Sequence, residues 1–354
     1  MRINSWIDKI KRIRPYRKNK RENFRFDMAE RSTNYEKLFF NKFLETLDQE
    51  DFITYPSHED YDDLRKKIAQ YHGFNYKNIF LGPGSGACIE SLIHTVSNNK
   101  TNIVSSFPCF PMYFIYSDCH NSNFKRVEYD NNNVFSIEKM MSKIDEETSL
   151  VILANPNSPY GDFKSKKELY DICRFTKEKG IILLIDEAYV DFAPGDCLEL
   201  ARMFDNILIS RTFSKGWGAA GIRIGYLIGN EKIIELISKV QQAYPISGPS
   251  LKFAKFLLEN KEVFEKYSKR TVLERNKVCK ILNETGKYDV LNSNTNFIHI
   301  HSTEGSNENM RKILEDSDIA FKFGAIVPGD PRKTWVRLSI GPDMTSLSFF
   351  KDLL

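Results

Sequence analysis

The sequence has no apolar run approaching the roughly 20 residues that span a bilayer. Its first residues lack the apolar core of a secretory leader, so a cytoplasmic protein is expected. Cysteine is sparse. The six present, Cys88, Cys109, Cys119, Cys173, Cys197 and Cys279, form no Cys-x-x-Cys pair. That spacing speaks against a zinc ribbon or a disulfide framework and fits reduced thiols. The histidines include His299-x-His301, but the alternation from Asn296 to His301 reads as a strand, so no metal site is expected. Net charge is only +4 and concentrates in the first 25 residues. A basic arm that short, without a helix-turn-helix pattern, is no DNA-reading module, and no nucleic-acid partner is expected.

What is present is an ordinary globular composition, 41% hydrophobic and 28% charged, in a chain long enough for two domains. In the basic arm, Trp6, Ile7, Ile10 and Ile13 fall roughly on one helical face. It is read as a solvated arm in preference to a membrane-surface or polyanion contact.

Three runs, Ser149 to Ala154, Ile181 to Ile185 and Asn206 to Arg211, read as strands buried on both faces, as in a parallel sheet. Amphipathic helices are predicted from Tyr35 to Leu47, Tyr61 to His72 and Lys164 to Lys179. Strands alternating with helices predict an α/β domain with a mainly parallel sheet covered by helices. Beyond Ile233 the pattern changes. A helix to Tyr244, broken by Pro245 and Pro249, precedes another from Leu251 to about Arg275. The segments Phe297 to His301, Asn307 to Asp316 and Trp335 to Ile340 then suggest a smaller α+β domain.

Ligands bind at the carboxyl ends of strands in open α/β sheets, and Asp186 ends the second run. A carboxylate there can pair with a protonated pyridine nitrogen, and Tyr189 can reach a neighbouring ring oxygen. The third run leads into Ser210-Arg-Thr-Phe-Ser-Lys-Gly-Trp-Gly, followed by Arg223. The amine of Lys215 can form a Schiff base with a carbonyl cofactor. Thr212, Ser214 and Arg223 can hold a phosphate. Upstream, Gly82-Pro-Gly-Ser-Gly-Ala87 opens a helix, where the amides of Ser85, Gly86 and Ala87 can cradle an anion. Alone, each piece reads as a solvated lysine, a polar strand end or a glycine turn. Their joint order carries the reading.

Asp186-x-x-Tyr189, followed by Ser214-Lys215 and Arg223, resembles the pyridoxal-phosphate site of fold-type I (class I/II) aminotransferases. The branch it resembles holds histidinol-phosphate aminotransferases and phospho-amino-acid decarboxylases, and the similarity runs from about Tyr55 to the C-terminus. The resemblance implies an aspartate aminotransferase-like fold. It divides the chain into a basic arm (1–25), a segment packing with the small domain (26–50), a large cofactor domain (51–240) and a small C-terminal domain (241–354). It implies pyridoxal 5'-phosphate on Lys215, with Asp186 at the ring nitrogen and Phe110 stacked on the ring. Tyr55 would reach the cofactor phosphate of a second subunit, which implies a homodimer with shared sites. Arg337, in Trp335-Val-Arg-Leu-Ser, would grip the substrate carboxylate. Glu30 and Arg31 would touch substrate from the segment Phe26 to Thr33.

The chain departs from the family in two places. Lys322 stands where histidinol-phosphate enzymes carry a second arginine for the substrate phosphate. Asn157-Ser158-Pro-Tyr-Gly161 replaces the usual Asn-Pro-Thr-Gly. The ring-oxygen bond then falls to Asn157 or Ser158, and the longer reach of an amide favours Asn157. The expected activity is transamination of a small phosphorylated amino or keto compound. A phosphoserine- or phosphothreonine-type decarboxylase is the main alternative. A non-catalytic protein of this fold is a third reading, against which the retention of Lys215 and Asp186 stands.

Overall fold

A computed structural model describes residues 6–10, 24–130, 134–304, 306–326 and 334–354 of the chain. Apolar runs build its larger sheet. The seven strands are β1 (Ile79–Gly82), β2 (Asn102–Phe107), β3 (Asn123–Glu128), β4 (Thr148–Ala154), β5 (Ile182–Asp186), β6 (Ile207–Thr212) and β7 (Gly225–Ile228). They lie in the order β1-β7-β6-β5-β4-β2-β3. Only β7 runs against its neighbours. In β4, Val151 and Leu153 pack into one apolar cluster and Leu150 and Ile152 into another. β5 and β6 divide in the same way, so helices must cover both faces. Each such side chain gains about 1.5–3 kcal/mol over exposure.

Local signals start the helices. Ser57 and Asp60 form a capping box for His58–His72, and Ser165 and Glu168 form one for Lys166–Glu178. The helix expected to reach Tyr244 ends earlier and spans Glu231–Ser238. The long helix expected from Leu251 is two, Gly248–Glu259 and Lys261–Glu284, meeting at Asn260. Pro249 opens the first of these instead of breaking it, since a first-turn residue needs no N–H partner.

The smaller sheet is antiparallel, a point the sequence pattern left open. Its strands β8 (Tyr288–Val290), β9 (Phe297–Ser302), β10 (Lys322–Ile326) and β11 (Thr334–Ser339) lie in the order β10-β11-β9-β8. Residues 24–33 join it: Phe26 packs in its core, and the Phe26 carbonyl accepts from Ser339 N–H at 2.7 Å. Of the basic arm, Ile7–Lys9 form one turn of 3-10 helix, and Ile13 lies outside the described residues. Among the described residues no helix is long and apolar enough to cross a membrane.

Candidate active site

β4, β5 and β6 end together, and their last residues, Ala154, Asp186 and Thr212, open onto one cleft of about 440 Å³. Lys215 stands on its wall, with its Nζ donating to the Met28 carbonyl at 2.8 Å and 5.4 Å from the centre of the Tyr189 ring. The residue after it has to be glycine. A Cβ on Gly216 would lie 2.2 Å from Asp191 Oδ2.

Asp186 is buried. Burial pushes its carboxyl pKa up, and a hydrogen bond from Tyr113 pulls it back down. The Tyr113 hydroxyl donates to Oδ2 at 2.5 Å, and the Ala188 N–H donates to Oδ1 at 3.2 Å.

The other end of the cleft is an anion cradle. The helix Ser85–Val96 begins there with unpaired first-turn amides. β7 presses against that start so closely that a Cβ on Gly225 would lie 2.0 Å from Ser85 N. Thr212 Oγ1 donates to Ser214 Oγ at 3.0 Å, and Arg223 Nη1 reaches the same oxygen at 3.4 Å. Gly84 leaves room for the Arg223 guanidinium, since a Cβ there would lie 2.5 Å from Nη2. Amides, hydroxyls and a guanidinium thus converge at one end, with an amine and a buried carboxylate beyond them. A flat, phosphorylated carbonyl cofactor fits this donor set. Phe110 edges the cleft, placed to cover a planar ring. Among the described residues no group of three or more His, Cys, Asp or Glu side chains could hold a metal ion.

Several expected residues fall elsewhere. Asn157 does not line the cleft; Ser158 does. The Asn157 backbone is tied into a turn with Gly161 and Asp162, and its amide donates to Tyr129. The preference for Asn157 therefore does not match the way the side chains point. Glu30 lines the cleft but Arg31 does not. The Arg31 guanidinium lies over the rings of Tyr35, at 4.5 Å, and Tyr267, at 4.1 Å, where cation–π attraction holds it outside the cleft lining. Tyr55 is 77% exposed and stacks on Tyr244 at 4.5 Å, outside the cleft of its own chain.

Arg337 and Lys322 face each other in register across β11 and β10. Neither lines the cleft wall. Arg337 connects to it through Phe297, whose ring lies 5.0 Å from the guanidinium and packs edge-on against Tyr189 at 5.3 Å. Lys322 is exposed at the sheet surface; partial desolvation there, aided by the Arg337 charge, lowers its pKa to about 8.

Sequence reasoning missed Met28 and Tyr113. Tyr113 lies three residues beyond Phe110, and that spacing across a helix start was the available signal. It also missed a buried polar group on β6, where Arg211 pairs with buried Glu187 at 2.7 Å and approaches His72 Nδ1 at 3.3 Å.

Residues 12–348 match the family model for class I and II aminotransferases. A histidinol-phosphate aminotransferase of Clostridium novyi (strain NT) is 28% identical over 337 residues, covering 94% of this chain and 91% of the relative. The structure of a histidinol-phosphate aminotransferase from Sinorhizobium meliloti, in complex with pyridoxal-5'-phosphate, superimposes with a TM-score of 0.80 at 22% identity, over 94% of this chain and 89% of that one. A tetra mutant of Thermus thermophilus aspartate aminotransferase gives 0.79 at 16% identity, over 99% of each chain. The fold is aspartate aminotransferase-like.

Proposed function

The chain belongs to the class I and II aminotransferases, and from that premise we propose that its substrate is a small phosphorylated amine or amino acid of the histidinol-phosphate kind. It is a transaminase acting on small molecules, with pyridoxal 5'-phosphate as its cofactor. One observation carries the substrate reading: two cations, Lys322 and Arg337, stand in register on the small sheet, and Arg337 reaches the cleft wall through Phe297 and Tyr189. A guanidinium fork suits a carboxylate or phosphate, and an ammonium can hold a second anionic group as a point charge. The names of the relatives point the same way.

In this reading Ser85, Gly86, Ala87, Thr212, Ser214 and Arg223 hold the cofactor phosphate. Asp186 meets the ring nitrogen and keeps it protonated. Tyr189 and Ser158 face the ring oxygen, and Phe110 covers the ring. When bound, the pyridoxal ring takes up the electron pair left as a bond at the substrate Cα breaks. The Lys215 amine, freed when the substrate amine takes its place, would take up the Cα proton and deliver it to the carbon that had borne the carbonyl. Arg337 turns the substrate so that the Cα–H bond, and not the carboxylate, is the one that breaks. Tyr55 completes the phosphate site of a second copy, so the working unit is a homodimer in the cytoplasm.

Mixing the purified holoenzyme with L-glutamate alone tests the reaction. The yellow absorbance of the cofactor is expected to fade as the amino group moves onto it, and to return when a phosphorylated keto compound is added. Yellow absorbance that survives glutamate, with carbon dioxide released from a phosphorylated amino acid, would replace the proposal with decarboxylation.

A further inference from the structure

Asp186 is a carboxylate that burial disfavours, and what holds it has to be supplied by the protein. The groups facing it come from four elements. Ser210 stands opposite it on β6 and Cys88 approaches from the helix Ser85–Val96. Ala188 gives its N–H from the turn after β5, and Tyr113 gives its hydroxyl from the helix Met112–Cys119. Tyr113 makes the shorter of the two hydrogen bonds to this carboxylate. Its side chain is fully buried, and its ring packs edge-on against Phe110 at 5.6 Å. No other side-chain partner competes for its hydroxyl in the described structure. A phenol in such a setting remains a donor throughout the working pH range, because burial and the neighbouring carboxylate both oppose its ionisation.

We infer that Tyr113 is a positioning residue: its hydroxyl holds the Asp186 carboxylate in the orientation from which that group serves the cofactor. This rests on the proposed role of Asp186. Two hydrogen bonds, one to each oxygen, fix a carboxylate's rotation. Removing the stronger one frees Oδ2 to turn and leaves a buried charge less well satisfied. The side chain then loses its ability to act as a fixed anion at the ring nitrogen. Because Phe110 packs on the same ring, one aromatic pair sets both the face that covers the cofactor and the carboxylate at its edge.

The test is a double-mutant cycle read by cofactor binding to the apo protein, with Tyr113→Phe made alone and with Asp186→Asn. Pyridoxal phosphate is titrated in and followed by quenching of tryptophan fluorescence. In the otherwise native chain, Tyr113→Phe is expected to weaken half-saturation roughly 10- to 100-fold, the scale of a hydrogen bond to a charged group. In the Asp186→Asn chain the same change is expected to cost less than about threefold, since the partner charge is gone. An equal loss in both backgrounds makes Tyr113 a packing residue and overturns the inference, as does no loss in either. If Tyr113→Phe does not fold, as judged by its melting curve, Tyr113→Leu carries the same cycle. A native apo protein that binds no pyridoxal phosphate overturns the cofactor reading as well, whereas native binding with an uncoupled cycle overturns this inference alone.

Discussion

At the scale of single residues, burial decides which groups carry charge. His72 is 6% exposed and His299 is 1% exposed. Burial, with Arg211 beside the first and Arg337 beside the second, lowers their pKa values to about 2 and about 3. Both stay neutral in the native state while the unfolded chain gains protons below its ordinary value near 6.5. Their contribution to stability is therefore complete above about pH 6.5 and is lost as the pH falls, by up to about 1.4 kcal/mol per unit for each histidine. Asp191, pushed up to about 6 by burial, works in the opposite direction between about pH 6 and pH 4. Replacing His299 by Asn removes one titrating group. Urea unfolding of that variant is expected to lose roughly 2 kcal/mol less than the native chain between pH 7 and pH 5. Equal losses would place the His299 ring in water. That Lys215 and Asp186 would share one cleft was legible in the sequence, because each follows a run read as a buried parallel strand and such strands open their carboxyl ends onto one site. Asn157 and Ser158 were not separable, since adjacent residues point in opposite directions once the turn from Asn157 to Asp162 closes.

At the scale of elements, the site depends on how closely β7 and the helix Ser85–Val96 approach. The 2.0 Å gap between a notional Cβ on Gly225 and Ser85 N leaves no room for any side chain, and the obstacle is backbone. Gly225→Ala is expected to push the helix start away, cost roughly 1–3 kcal/mol in stability and weaken pyridoxal phosphate binding at least tenfold. Melting curves and titration of the apo protein measure the two effects. Unchanged binding would remove those amides from the phosphate site. Strand positions were legible because runs buried on both faces read as continuous apolar stretches. Helix ends were less so: Asn260 divides two helices by its own backbone conformation, with no proline or glycine to mark it. The antiparallel order of the smaller sheet rests on pairings between distant segments that no local pattern reports.

At the scale of the whole molecule, one chain leaves Tyr55 exposed and away from its own cleft. A homodimer with shared sites predicts sedimentation at twice the 41.2 kDa chain mass. It also predicts complementation. Chains carrying Lys215→Ala have no working lysine, and chains carrying Tyr55→Ala lack the phosphate contact they lend. Unfolded and refolded together, they form mixed dimers in which one site has both residues native. Turnover at low cofactor concentration is expected to rise above that of either variant alone, towards a quarter of the native value, since roughly half the dimers are mixed and each has one whole site. No gain on mixing would confine each site to one chain.

By itself the sequence determined the α/β class, the order of the strands along the chain and the residue types of the site. Amines, carboxylates and glycine-opened helices carry their chemistry in their identity and spacing, and buried strands carry theirs in apolar runs. Only the tertiary structure decided which neighbours those residues meet. It put Ser158 in the cleft and Asn157 against Tyr129, drew Arg31 between two aromatic rings, and brought Tyr113 onto Asp186. Those choices belong to packing between segments far apart in the chain, where direction and distance, not residue type, settle which contact forms.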